Sequence, residues 1–553
     1  MDKLTPFRQL ARLCLEKGVE NVIISPGSRN ALLTIAFSGQ KGLSCFSISD
    51  ERSAGYLAIG MALQTGKTTV LICTSGTAAL NYAPAVAEAY FQEVPLLVLT
   101  ADRPPEWIHQ YDGQTIFQDN VYGKHVKEAF SWSSDLSDTK LREAESVSNK
   151  ALNSTQRSPK GPVHINIPIS EPFYPSRFEE TDVNPWKVIE PKAFKPEIEG
   201  VSFLKALRRY PKRLLVVGQQ HDEEVGKLAS EFAGKFGFIL VSDSISNISG
   251  GIKNQDHFLK KLSDKEKQTL CPDLLISTDM SLISKSLKLM LRGFDIQAHW
   301  HVQSNPAFID PFRSLTKKVE ITPLEFFQQT LNFDGLSNDE NYQERWKSLE
   351  KKSSDSIRQY FEKPEFSEFH ILRKLFHKIP EDCILHVGNS MSIRYVNALN
   401  SVLPSGCKVY CNRGTSGIDG CLSTAVGQAL KTDKPVYCIL GDVSFQYDKN
   451  ALWNRYLPDN LKIIILNNSG GIIFNMIQGP SDQSSFEDYF KTMQPNRASY
   501  LAQEYGLDYF KITSPSEIEE GLRKFLTCHQ KSILEIFTDY ELNTLSYKKF
   551  FES

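Results

Sequence analysis

At 553 residues the chain is too long for one hydrophobic core, and a length of this order divides into about three domains. With 41% hydrophobic and 23% charged residues and a formal net charge of −2, it has a globular composition and no basic excess for nucleic acid or an anionic membrane. No apolar run reaches the ~20 residues of a bilayer-spanning helix. The ten cysteines lie scattered without CxxC pairs, several in apolar segments, as expected of free thiols in a reducing cytoplasm.

The first 18 residues, MDKLTPFRQLARLCLEKG, read as a polar amphipathic helix and not as a signal peptide. Beyond them, short β-rich apolar runs alternate with helical periodicity, which predicts α/β domains with parallel sheets flanked by helices. In chain order, SPGSRN closes a strand with Ser28 and Arg29, and SDERSAGYLAIG sets Glu51 at a strand-to-helix turn. LLVLTADRP closes a strand at Arg103, and DGQTIF brings Gln114. The Pro- and charge-rich stretch 171–197 reads as a linker. RLLVVGQ, FGFILVSDS and DLLISTD then read as strands of a Rossmann-like sheet, without the GxGxxG that FAD or NAD binding would need. SLISKSL carries Lys285. AHWHVQ puts His299 and His301 on one strand face; with no third ligand evident, a structural role is expected. A charged helical stretch near 335–365 marks a second break, giving domains at about 1–180, 195–335 and 360–553. In the last of these, VGNSMSIRY holds Ser390 and Arg394, and CNRGTSGIDG holds Arg413 and Ile418.

The outer domains read as copies. Adding 367 to each number aligns residues 58–101 with 425–468 without a gap, so AIGMAL matches AVGQAL and LLVLTA matches the end of KIIILNN. A repeat of this length is a duplicated domain and fixes architecture. The copies diverge where chemistry would sit: Asp442 falls opposite Ser75, Asn468 opposite Ala101, and Glu51 opposite Ile418. Homologous domains with different side chains at matching positions suggest a ligand held between them.

The segment Gly441 to Gly471 is the most informative. It reads as a strand end, a helix, a buried strand and a second turn, with Asp442 and Asn468 at the two turns, 26 residues apart. A hard cation takes oxygen ligands in near-octahedral order and bridges to phosphates. A carboxylate, an amide oxygen and glycines that let backbone come close form a candidate Mg²⁺–diphosphate site; oxygen ligands suit Mn²⁺ as well. Arg29, Arg103, Arg394 and Arg413 fall where strands end, which is where open α/β sheets bind ligands. Arginine recognises carboxylates bidentately, so four such residues in a nearly neutral chain suggest polyanionic substrates.

The GD turn followed by NN resembles the signature of thiamine diphosphate (ThDP) enzymes, and the resemblance spans the whole chain: a pyrimidine-binding domain, a central domain and a diphosphate-binding domain. It implies that Glu51 bonds the aminopyrimidine ring, that Ile418 wedges the cofactor bent, that Gly441, Asp442, Asn468, Ser390, Ile473 and Phe474 surround cofactor and metal, and that the Gly470 carbonyl is the third metal ligand beside Asp442 and Asn468. One departure is GDV in place of the common GDG, which should alter backbone freedom at Val443. In this superfamily the two half-sites meet across a subunit interface, implying a homodimer or homotetramer. SPGSR, DERSAG, TADRP, GNS…R and NRGTSGIDG, with GDVS and NNSGGIIF, are similar to the carboligase family of menaquinone biosynthesis. That resemblance implies decarboxylation of 2-oxoglutarate and addition of the succinyl unit to isochorismate. Ser28, Arg29, Arg103, Gln114, Lys285, Ser390, Arg394, Arg413, Ile473 and Phe474 are then the substrate-facing residues. The family's central-domain Lys-Arg pair is here Lys285-Ser286, with Lys288 or Arg292 as candidates to compensate. The competing readings are another ThDP lyase or carboligase, acetolactate-synthase-like or benzoylformate-decarboxylase-like, and a non-catalytic protein of the same fold. The first would need fewer strand-end arginines; the second should have lost Glu51, Asp442 or Asn468, and all three are present.

Overall fold

The computed structural model describes residues 3–135, 137–171, 173–174, 184–191, 196–336, 339–476, 479–493 and 497–553. Much of the expected linker 171–197 therefore lies outside the described residues. Among the described residues the strands form three parallel sheets, each flanked by helices. The first holds β1 (Asn21–Ile24), β2 (Ser44–Ser47), β3 (Thr69–Cys73), β4 (Leu96–Asp102), β5 (Ala129–Ser131) and β6 (Val163–Pro168), in the order β2-β1-β3-β4-β6-β5. The second holds β7 (Arg213–Val217), β8 (Ile239–Ser242), β9 (Leu274–Thr278), β10 (Ala298–Val302) and β11 (Lys317–Val319), in the order β11-β10-β9-β7-β8. The third holds β12 (Ile384–Val387), β13 (Lys408–Tyr410), β14 (Val436–Gly441), β15 (Leu461–Asn467), β16 (Asp508–Ile512) and β17 (Ser532–Phe537), in the order β13-β12-β14-β15-β17-β16.

The first and third sheets share one strand permutation, as a duplicated domain requires. Their central strands β3, β4 and β15 are buried along their whole length and each carries an apolar run, because helices cover both faces. The copies differ after β14. The short helix Asp442–Tyr447 falls opposite the first copy's short helix Thr77–Asn81, but the 3-10 turn Lys449–Leu452 stands where the first copy starts the longer helix Ala83–Phe91.

Compactness does not follow chain order. One unit combines the first 193 residues with Asn412–Val436 and Ser444–Leu461; the other holds the rest. The reason lies in the repeat. Helices Glu51–Thr65 and Cys421–Ala429 are its equivalent helices, and they pack on each other through its equivalent glycines. A Cβ on Gly60 would collide with the Thr424 carbonyl, and one on Gly427 with the Leu57 carbonyl. Only glycine lets the two backbones come this close.

In the central sheet, Ser277 Oγ lies 2.8 Å from both His299 Nε2 and His301 Nδ1, so the two histidines share a buried hydrogen-bond network. Among the described residues no three His, Cys, Asp or Glu side chains gather in a way that could hold a metal, and no helix is long and apolar enough to cross a membrane.

Candidate functional site

β14 ends at Gly441 and β15 at Asn467, so Asp442 and Asn468 emerge from neighbouring carboxyl ends of one sheet. Asp442 is buried and opens a helix. The Val443 amide donates to its Oδ1 at 2.8 Å, and the Ser469 and Gly470 amides also point at the carboxylate. Val443 takes up helical backbone, and Gly441 keeps φ out of the left-handed region, so this turn forms without the glycine that commonly follows the Asp. Asn468 Nδ2 donates to Glu368 Oε1 at 2.7 Å, which turns the amide oxygen the other way. Asp442 Oδ2 and Asn468 Oδ1 are both buried without a hydrogen-bond partner. Two such oxygens at neighbouring strand ends are costly unless something electropositive meets them, and a cation fits. Ser469 is left-handed (φ 65°), and a Cβ on Gly470 would lie 2.6 Å from the Lys491 carbonyl. The NNSGG turn is thus fixed by close packing. Burial pushes the Asp442 carboxyl up to about 7, with Glu368 adding to the effect. Burial likewise lifts Glu368 to about 7, opposed by its bond to Asn468. Ile473 and Phe474 follow on a 3-10 turn, half-buried, with Phe474 edge-on to Phe490 at 5.7 Å.

In the other compact unit, Glu51 opens its helix with both neighbours anchored. Asp50 caps the helix through Ser53 N at 3.2 Å and accepts from Asn450 Nδ2 at 2.6 Å. Arg52 donates to the Tyr447 carbonyl at 2.7 Å and lies over that ring. Glu51 itself is half-buried, with Asn81 Nδ2 3.4 Å from its Oε2. The loop bearing Arg413 and Ile418 is held just as firmly. Buried Glu88 accepts from Gly414 N at 2.8 Å and from Thr415 N and Oγ1 at 2.6 Å each. Ser444 Oγ donates to the Ile418 carbonyl at 3.0 Å, and Tyr56 Oη to Asp419 at 3.0 Å.

Arg29 and Arg103 line one cavity of about 360 Å³ with Pro104, Trp107, Asp112 and Glu171. Arg29 is buried, donates to the Ile169 carbonyl at 2.8 Å and stacks on Phe173; Ser28 beside it is exposed. Gln114 is exposed and left-handed (φ 56°), its backbone packed where a Cβ on Gly76 would touch. In the second unit, Ser390 is left-handed (φ 72°), and its carbonyl accepts from Arg394 Nη1 at 2.6 Å, so these two lie one helical turn apart. Non-glycine residues held left-handed cost energy and cluster at functional sites. Lys285 is exposed at the start of helix Lys285–Arg292; Lys288 donates to the Leu282 carbonyl and Arg292 to the Pro311 carbonyl. Sequence reasoning missed Glu368, Glu88 and Asp112. Acidic residues look solvated in a sequence, and only burial distinguishes the first two.

The chain matches three family descriptions in order: "Thiamine pyrophosphate enzyme, N-terminal TPP binding domain" over residues 5–125, "Middle domain of thiamine pyrophosphate" over 193–387, and "Thiamine pyrophosphate enzyme, C-terminal TPP binding domain" over 396–536. It is 40% identical to a 2-succinyl-5-enolpyruvyl-6-hydroxy-3-cyclohexene-1-carboxylate synthase of Cytophaga hutchinsonii, covering 98% of this chain and 97% of that protein. Synthases of the same name from Desulfotalea psychrophila (37% identical, 96% of this chain and 97% of the relative) and Flavobacterium psychrophilum (35% identical, 100% and 99%) match similarly.

Proposed function

Because this chain belongs to the thiamine diphosphate enzymes, and among them to the family of the 2-succinyl-5-enolpyruvyl-6-hydroxy-3-cyclohexene-1-carboxylate synthases, we propose that it decarboxylates 2-oxoglutarate and adds the succinyl unit to isochorismate. The products are 2-succinyl-5-enolpyruvyl-6-hydroxy-3-cyclohexene-1-carboxylate and CO₂, in menaquinone biosynthesis. The observation that carries this reading is the pair of buried, unpartnered oxygens on Asp442 and Asn468. They would hold Mg²⁺ or Mn²⁺ together with the Gly470 carbonyl, one carboxylate and two neutral oxygens leaving positions for a diphosphate.

Thiamine diphosphate, when bound, supplies a thiazolium that stabilises the charge left by decarboxylation. Glu51 would hold a proton against the aminopyrimidine ring nitrogen, its backbone fixed by the ties at Asp50 and Arg52. Ile418 would press on the cofactor from a loop immobilised by Glu88. Gly441, Ser390, Ile473 and Phe474 would line the cofactor. Ser28, Arg29, Arg103, Arg394 and Arg413 would meet the carboxylates of two dianionic substrates, and Gln114 would bond near the reacting carbon. Lys285, exposed at the start of its helix, would be the central-domain cation for a substrate carboxylate, whereas Lys288 and Arg292 would have to leave their carbonyls to replace the family's arginine.

Isochorismate consumption by the purified protein with ThDP and Mg²⁺ tests the reaction. Loss of isochorismate with CO₂ release only when 2-oxoglutarate is present is expected. CO₂ release that leaves isochorismate untouched would refute the acceptor. Glu368→Gln is expected to lower Mg²⁺-dependent ThDP affinity about 10–100-fold, the usual cost of losing an outer-shell partner. Calorimetric titration reads this directly, and unchanged affinity would remove Glu368 from that role.

A further inference from the structure

Arg103 leaves the end of β4 with its backbone fixed, since its own amide donates to buried Asp102 at 2.7 Å, and Asp102 accepts from Asn166 at 2.8 Å. Its guanidinium then turns back on its own chain: Nη1 pairs with Asp112 Oδ2 at 2.8 Å and Nη2 donates to the Gly113 carbonyl at 2.7 Å. Its Nε is buried without a hydrogen-bond partner. An anion-binding fork therefore faces the 360 Å³ cavity already carrying a carboxylate, and that carboxylate belongs to the protein. The segment bearing Asp112 is poor in regular structure, with one short 3-10 turn at Pro105–Trp107. It holds His109, Tyr111 and Gln114 in left-handed conformations and exposes Trp107, Tyr111 and Phe117. Strained backbone and bare aromatic rings are features of a segment with an alternative arrangement close in energy.

From these contacts we infer that Asp112 is an internal stand-in for a substrate carboxylate: it occupies Arg103, and an incoming carboxylate binds by displacing it, releasing the segment that carries Gln114. Asp112 is an affinity-setting residue acting through Arg103, not a catalytic one. The inference rests on the reading of this cavity as a carboxylate site. Arg29 faces the same cavity, and its charge is met by Glu171 and Asp102 as well as Asp112, so Arg103 is the arginine whose partner can be exchanged. The exchange is economical because Asp112, 36% exposed, can pass to solvent when it leaves, and a ligand that supplies two oxygens to Arg103 replaces one.

The test uses the full-length protein loaded with ThDP and Mg²⁺, and ligands that do not turn over: isochorismate alone, and succinate in place of 2-oxoglutarate. Asp112→Asn should tighten at least one of them about three- to tenfold by calorimetric titration, a range set by the modest strength of such pairs. Asp112→Glu, which keeps the carboxylate, should return affinity toward wild type. Glu106→Gln is the control, since Glu106 lines the same cavity. Equal tightening by Glu106→Gln would mean a general charge effect and overturn the idea. So would unchanged or weakened binding in Asp112→Asn, or no binding by any form. Because binding is read without turnover, tighter binding in a protein that lacks carboligase activity would uphold the exchange while sinking the reaction. Unchanged binding in an active enzyme would sink the exchange alone.

Discussion

Asp442→Ala is expected to leave a folded protein whose ThDP affinity is lower by about 100-fold or more and no longer improves on adding Mg²⁺. Asp442 is the one carboxylate at its turn, and the other candidate ligands, the Asn468 amide oxygen and the Gly470 carbonyl, are neutral. Two neutral oxygens do not retain a divalent ion against water, and losing even an outer-shell partner of a metal costs 10–100-fold. Folding should not suffer, because the wild-type carboxylate is buried at a cost: burial raises its pKa to about 7, and its Oδ2 has no partner. The thermal midpoint separates the two effects. Wild type should gain stability on adding ThDP with Mg²⁺, as any ligand of the folded state provides. The variant should match wild type without ligands and gain nothing when they are added. A Mg²⁺-dependent gain equal to that of wild type would refute the assignment of Asp442 to the metal.

Constant spacing between AIGMAL and AVGQAL was legible because a duplicated domain keeps its strand offsets, and β3 and β14 indeed begin 367 residues apart. What spacing cannot convey is that Gly60 and Gly427, the same glycine in the two copies, pack against each other's helices. That contact helps place residues 412–436 in a compact unit with the N-terminal part of the chain, although the sequence assigns them to the third domain. The turns at Asp442 and Asn468 were legible because Gly-Asp and Asn-Asn are turn-forming pairs, and the strands do end there. Their support was not, for Glu368 lies 100 residues before Asn468 and looks in sequence like any acid in a helix's first turn. The same holds for Glu88, whose tie to the Arg413 loop spans 326 and 327 residues. The arginines illustrate the opposite limit. Their positions after strands were readable, but Asp112 as the partner of Arg103 required a loop conformation that no periodicity encodes.

Glu51→Gln is expected to bind ThDP within a few-fold of wild type and to turn over about 10²–10⁴-fold more slowly, the usual contribution of a positioned proton-transfer group. The substitution is nearly isosteric, and the helix start depends on Asp50 and Arg52, so the site should keep its shape. An amide oxygen at position 51 still accepts from Asn81 but cannot hold the proton a carboxylate holds. Near-normal rates would remove Glu51 from the reaction. The variant also tests the proposal that the half-sites come from different subunits. Glu51→Gln and Asp442→Ala are each expected to be nearly inactive alone. If Glu51 of one chain serves Asp442 of the other in a two-fold dimer, random exchange puts both lesions in one site of each hybrid and leaves its second site intact. Equal mixing then restores about a quarter of wild-type activity, because half the dimers are hybrids and each has one working site of two. No recovery, with subunit exchange demonstrated by differently tagged chains, would mean that each site is built within a single chain.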